Sequence, residues 1–418
     1  MTDEATPDTP RSADTADAAA PTEELSGQTA EFDRPNVLFL SGAHFIHDCY
    51  PAFLGVLLPL LIPRLGLSFA AAGILASSVR WTTSLQPVLG YWADRTDTRY
   101  WVIAAPAVTA TCMSFAGLAP SAAVLLILLL TTGLSHAAFH PAAGALVTRV
   151  AGDRWGKGTS FFMTGGEFGR VIGPVTIAAV IGAVGLDGAW IILIPGVLAS
   201  LALWRRFRHA DIPVRSSAPA RLRDALRAGR GGMAMLSAFV FMRSFMNVGF
   251  IIFYPTYATG RGSSLLLAGL ALTAYESGGT LGAFTGGILS DRFGRPRTMT
   301  FGLLIAAPAL ATAVALGPTP VGLAILAVGG LGLLSATSVE LVIMQRLMPD
   351  HRSSAVGFTY FMKAAGGTTA TVAIGAMADS IGLQQALYIG IAIGLAALPF
   401  VIFLKRVDRT VDAGTRAA

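Results

Sequence analysis

Charge is what this sequence has least of. Only 13% of its 418 residues are Asp, Glu, Lys or Arg, against 53% hydrophobic, and the mean hydropathy is +0.62. A water-soluble chain of this length needs more charge to cover its surface, so the composition excludes that class in favour of a membrane protein. Lysine is nearly missing, 3 against 27 arginines, a bias that points to a GC-rich bacterial genome. Cysteine is scarce too. Cys49 and Cys112 both fall in apolar segments, which argues against a disulfide framework and a cysteine metal site. No basic stretch followed by a short apolar run opens the chain, so a cleavable signal peptide is not expected. Nucleophile–base signatures such as Gly-x-Ser-x-Gly and His-Glu-x-x-His are absent, as is an appended signalling domain; neither an enzyme nor a receptor is expected.

The net charge of +6 raises nucleic acid as a partner, but the placement of the charges rejects it. Twelve apolar segments follow one another, at about 37–62, 68–93, 99–119, 121–147, 158–186, 188–206, 232–257, 264–290, 297–317, 319–346, 354–381 and 383–404, each long enough to span a bilayer. Of the 30 Lys and Arg, 24 lie in the tails or in alternate loops on one side, two (Arg64 and Arg261) in the opposite loops, and four inside the spans. That asymmetry puts both termini in the cytoplasm, here of a bacterial inner membrane. Residues 1–34, with nine acidic and two basic residues, read as a disordered cytoplasmic tail. Residues 35–206 and 232–405 read as two six-helix bundles. They are joined by a basic linker at 207–231 that lies on anionic lipid, and followed by a short cytoplasmic tail at 406–418.

The halves repeat. Gly158-Thr-Ser-Phe-Phe-Met163 matches Gly357-Phe-Thr-Tyr-Phe-Met362, and Gly90-Tyr-Trp-Ala-Asp94-Arg95 matches Gly286-Gly-Ile-Leu-Ser-Asp291-Arg292-Phe-Gly294-Arg295 at nearly the same offset. Each of the second pair suits a short cytoplasmic hinge: glycine lets helices approach, the aspartate caps or pairs across the turn, and the arginines stay on the cytoplasmic side. These residues resemble motif A of the major facilitator superfamily. The resemblance implies an all-α membrane fold of two pseudo-symmetric six-helix bundles.

Ionisable groups within a bilayer are costly and face a partner or a cavity. Here they are Asp48 with His44 and His47 (span 1), Arg80 (span 2), His136 and His140 (span 4), Glu167 and Arg170 (span 5), Arg243 (span 7), Glu276 (span 8), Glu340 (span 10) and Lys363 (span 11). Spans 3, 6, 9 and 12 carry none in their interiors, as expected of an outer, lipid-facing layer around a central path. His44 and Asp48, four residues apart on one helical face, suit proton exchange; a structural pair tying span 1 to span 4 is the other open reading. Glu167 and His140 join them as proton-coupling candidates. Arg80, His47, His136, Arg170, Arg243, Asn247 and Glu276 are substrate-binding candidates, arginine offering a bidentate fork to an anion. Glu340 and Lys363 look like a structural ion pair. Gly165, Gly169 and Gly173 recur every four residues, giving a flat face for close packing. The histidines and carboxylates also raise metal transport, but no diagnostic ligand spacing links them, so no metal site and no cofactor are expected.

His44-Phe-x-x-Asp48-x-Tyr50-Pro, Leu85-Gln86-Pro87-Val-x-Gly90-Tyr91-Trp92, Phe139-His140-Pro141 and Gly165-Gly166-x-Phe168-Gly169 together resemble the fosmidomycin-resistance branch of drug exporters. The glycine-rich stretch of span 5 also resembles the superfamily's antiporter motif. The resemblance implies proton-driven efflux of a small, drug-like and perhaps anionic compound by a chain acting as a monomer. Where that branch carries asparagines, this chain has His47 and Glu167. Import of a small organic anion is the alternative reading.

Overall fold

Proline and glycine set where the long apolar segments bend. In the computed structural model, which describes residues 32–93, 96–209, 230–348 and 352–404, the segments form twelve helical rods that run up and down in succession. Span 1 comprises Arg34–Cys49 and Leu54–Arg64, broken at Pro51–Phe53. Span 2 comprises Phe69–Thr83 and Gln86–Ala93, with Pro87 tolerated in the first turn of its second piece. Spans 3 to 6 are Arg99–Ala116, Ala122–Val150, Trp155–Gly188 and Leu193–Phe207. Span 7 runs Arg230–Val248, widens into a π-turn at Gly249–Phe253, and continues as Tyr254–Gly260. Spans 8 and 9 are Leu265–Phe293 and Arg295–Leu316; span 10 is Pro320–Leu334 and Ala336–Leu347; span 11 is Arg352–Ile381 and span 12 begins as Leu383–Leu395. Seven stretches are long and apolar enough to cross a membrane by length and composition, and one of them, Gly152–Phe207, contains two spans. Spans 2, 3, 8 and 11 fall outside that set; of these, spans 2, 8 and 11 face the other half.

Asp33 caps span 1 by accepting the Asn36 N–H at 3.0 Å, and its own N–H donates to the Val150 carbonyl. Most of the expected tails and linker, including Arg221–Arg227, lies outside the described residues.

Packing follows a two-fold rule. Within the first half, span 1 packs on 5, 2 on 4, and 3 on 4 and 6; within the second, 7 packs on 11, 8 on 10, and 9 on 10 and 12. Between the halves, span 2 meets 11, span 5 meets 8, and span 1 meets 7. Among the described residues, spans 3, 6, 9 and 12 make no substantial contact at that junction, and they expose apolar side chains such as Phe115, Leu198, Phe301 and Ile402. The outer layer is where the charge pattern put it.

Span 1 and span 5 approach closely because of the glycine stripe. A β-carbon on Gly165, Gly169 or Gly173 would run into the carbonyl oxygens of Ser41, Phe45 and Cys49, which are themselves spaced four apart. The halves are drawn together at the end opposite the chain termini. There Asp379 of span 11 accepts the N–H groups of Phe69 and Ala70 at 2.8 and 2.9 Å, capping span 2 from the other half. Pro255 lacks the N–H that would bond the Ile251 carbonyl, and that carbonyl lies against Gly55 of span 1.

Candidate functional site

The break at Pro51 ends the first piece of span 1 just past its polar turn, and Pro141 follows His140 within the continuous span 4 helix. The two polar turns face each other, so His44, His47 and Asp48 meet His136 and His140 in one buried cluster. His44 Nδ1 donates to the Phe162 carbonyl at 2.7 Å, and its Nε2 lies 3.3 Å from Asp48 Oδ2. Asp48 Oδ1 lies 3.6 Å from His140 Nε2 and 3.8 Å from His136 Nδ1. The two span 4 histidines touch, Nε2 to Nε2, at 2.9 Å. Aromatic rings wall the cluster: Phe162 stacks on His44 at 4.0 Å and Phe139 lies against His47 at 4.2 Å between centroids. Gly166 makes the room, since a β-carbon there would collide with the His44 ring. His47 is fully buried, and neither ring nitrogen has a well-formed hydrogen bond, though the Ala105 backbone is in reach.

A second group lies where the halves meet. Arg170 pairs with Glu167 on its own span, and Thr280 of span 8 reaches Glu167 Oε2 at 3.4 Å. Thr273 of span 8 donates to the Val171 carbonyl at 2.8 Å, a second link across the junction. Glu276 is buried in electrostatic reach of Arg170, Glu167 and Arg80, and it forms no direct ion pair among the described residues. The Arg80 side chain lies over Gly367 of span 11, where a β-carbon would sit 3.2 Å from its Cδ. Asn247 accepts the Tyr275 hydroxyl at 2.7 Å.

The third group is an ion-pair knot. Glu340, with no exposed surface, accepts Arg243 Nε at 2.7 Å and Nη2 at 3.2 Å, and Lys363 Nζ lies 3.2 Å from it. Arg243 also donates to the Leu333 carbonyl at 3.2 Å, beside the break at Ser335. The expected Glu340–Lys363 contact is present, with Arg243 as a third member. Arg243 is therefore buried against Glu340, each charge offsetting the other's desolvation.

The hinge residues separate from these groups. Gly90 lies beside Pro141, while Asp94 and Arg95 lie outside the described residues. Gly286 packs against the Ser335 carbonyl of span 10. Gly294 links spans 8 and 9 alone, with φ 90°, a backbone region that only glycine takes without strain. Span 9 has Gly294 itself at its N-cap and no side-chain cap; Asp291 and Arg292 are exposed, the guanidinium 5.4 Å from the Phe293 ring centre. The cross-half threonines and Asp379 escaped sequence reading. Threonines are not ionisable, so the search for buried charge passed over them, and Asp379 sits at a span end where acids are ordinary.

Known proteins give the same outline. The Major Facilitator Superfamily family model matches residues 40–231 and 233–418. The chain is 28% identical over 381 residues to the uncharacterized MFS-type transporter YfnC of Bacillus subtilis, covering 87% of this chain and 90% of that one. It is 26% identical over 355 residues to the fosmidomycin resistance protein of Escherichia coli, covering 82% and 86%. Among solved structures, a bacterial homolog of the human lysosomal transporter Spinster aligns with TM-score 0.76 at 19% identity, over 90% of this chain and 97% of that one. The nucleoside transporter NupG aligns with TM-score 0.73 at 14% identity, over 88% and 98%. With a family match spanning both halves and the paired bundles to go with it, the chain belongs to the Major Facilitator Superfamily and is an integral membrane transporter, not an enzyme.

Proposed function

We propose that this transporter is a proton-coupled antiporter that exports a small drug-like, anionic compound from a bacterial cytoplasm by alternating access. The observation that carries the reading is the convergence of the buried ionisable groups. Asp48 and its histidines lie on one half, Glu276 lies in electrostatic reach of Arg80 from the opposite half, and Thr280 reaches Glu167 across the junction. A proton site and a substrate site that share this junction are coupled when the halves rock. The likeness to a fosmidomycin resistance protein supports export and an anionic cargo. Arg170, whose side chain is 45% exposed, and Arg80 are the cations left to meet that cargo once Arg243 is committed to Glu340. The arginine-rich loops support cytoplasmic termini in an inner membrane. The chain works as a monomer.

Asp48 faces His44 and His47 on its own span, His136 and His140 on span 4, and Arg170 on span 5. Asp48→Asn keeps the shape and removes the charge. In inside-out vesicles under an imposed proton gradient, the variant is expected to reach parental levels in the membrane and to lose gradient-driven accumulation of labelled fosmidomycin-type phosphonate. Parental accumulation by the variant would overturn the coupling assignment. Accumulation by parental right-side-out vesicles instead would favour import of an organic anion.

A further inference from the structure

We propose that His47, Asp48, His136 and His140 form a binding site for a divalent transition-metal ion such as Zn2+ or Co2+. The four residues each offer a ligand atom, and these atoms lie within 4.8 Å of one another. Three of the separations can be compared with metal geometry. Asp48 Oδ1 to His140 Nε2 is 3.6 Å, Asp48 Oδ1 to His136 Nδ1 is 3.8 Å, and His140 Nε2 to His136 Nδ1 is 3.3 Å. A tetrahedral ion with bonds of about 2.0–2.1 Å sets its donor atoms about 3.3–3.4 Å apart. Asp48, His136 and His140 are a few tenths of an ångström from that geometry, and the His47 donor lies within 4.8 Å of them.

The unsatisfied atoms point the same way. Both ring nitrogens of His47 and Asp48 Oδ1 are buried without a hydrogen-bond partner. Each such group carries a desolvation cost that a hydrogen bond normally offsets, and a bound cation offsets it as well. His44 completes the arrangement from outside the set. Its Nδ1 is held by the Phe162 carbonyl and its Nε2 faces Asp48 Oδ2, which leaves Oδ1 as the donor turned toward span 4. Three imidazoles and one carboxylate favour zinc, cobalt or nickel over magnesium or calcium, which prefer all-oxygen shells. Arg170 is in electrostatic reach of Asp48 and His136 and weakens binding, but its pairing with Glu167 neutralises much of that charge. An ion has a way in: the His136 and His140 side chains are 20% and 22% exposed, while Asp48 lies behind them.

The site goes beyond the transport reading and is tested without transport. Metal-free full-length protein in detergent is titrated with Co2+ and then with Zn2+. We expect one equivalent of cobalt to give the visible absorption of a tetrahedral complex, Zn2+ to displace it, and Zn2+ to raise the melting temperature. Replacing His136 and His140 together with Ala, or His47 with Gln, is expected to weaken binding at least about tenfold. His209→Ala, remote from the cluster in sequence and position, is expected to bind as the parent does. Size-exclusion and melting profiles of the metal-free variants establish that they are folded. Absence of stoichiometric binding by the parent, or unchanged affinity in a folded cluster variant, would overturn the site. Because binding is read directly, loss of efflux in Asp48→Asn neither makes nor breaks it.

Discussion

Glu340→Gln tests the ion-pair knot with almost no change of shape. The carboxylate has no exposed surface and holds Arg243 at 2.7 Å and Lys363 at 3.2 Å. Neutralising it leaves two cations facing each other, one of them buried, with no counter-charge. Removing one partner of a buried pair costs about 3–5 kcal/mol, because the stranded charge keeps its desolvation penalty and loses its attraction. The expected result is a marked fall in detergent melting temperature and in yield. Lys363→Met should cost less, since Lys363 is partly exposed and Arg243 still balances the carboxylate. The decisive variant replaces Glu340 with Leu and both Arg243 and Lys363 with Met. An apolar core of similar volume needs no compensation, so the triple variant should recover most of the stability that Glu340→Gln loses. Fluorescence-monitored melting of the parent and the three purified variants is sufficient. If Glu340→Gln melts with the parent, or the triple variant melts no higher than the single one, the knot is not a stability element.

The other predictions concern the backbone contacts and the far end. Gly169→Ala puts a methyl group into the Phe45 carbonyl and should destabilise by about 1–3 kcal/mol, whereas Gly144→Ala, where the added carbon meets nothing within 4 Å, should not; parallel melting curves read the difference. Gly294→Ala forces an ordinary residue into a glycine backbone conformation between spans 8 and 9, at a cost of about 1–3 kcal/mol, and an unchanged melt would show that the link is not strained. Asp379→Ala removes the carboxylate that caps span 2 from span 11, and should shift the balance toward an open far end by about two- to tenfold. Spin-label distances across that end would report the shift, and an unchanged distribution would remove Asp379 from the closing contacts.

Sequence alone determined the parts governed by local composition. Low charge and twelve apolar runs fixed a membrane chain, because a bilayer admits only segments that satisfy their own backbone. The Gly-x-x-x stripe of span 5 was legible as a packing face, since residues four apart share one side of a helix; its contact with Ser41, Phe45 and Cys49 carries that through. The four uncharged outer spans were legible too, as lipid tolerates no unpaired charge. Which charges meet was not. Arg243 could face substrate or Glu340 on sequence grounds, and only the crossing of spans 7 and 10 gave it to the carboxylate. His136 and His140 are spaced four apart, but no diagnostic spacing joins them to His47-Asp48, because the donor atoms converge from two helices 88 residues apart, counted from Asp48 to His136. Helical periodicity determines which face of a rod a side chain occupies; the tertiary packing of one rod against another determines what that face meets.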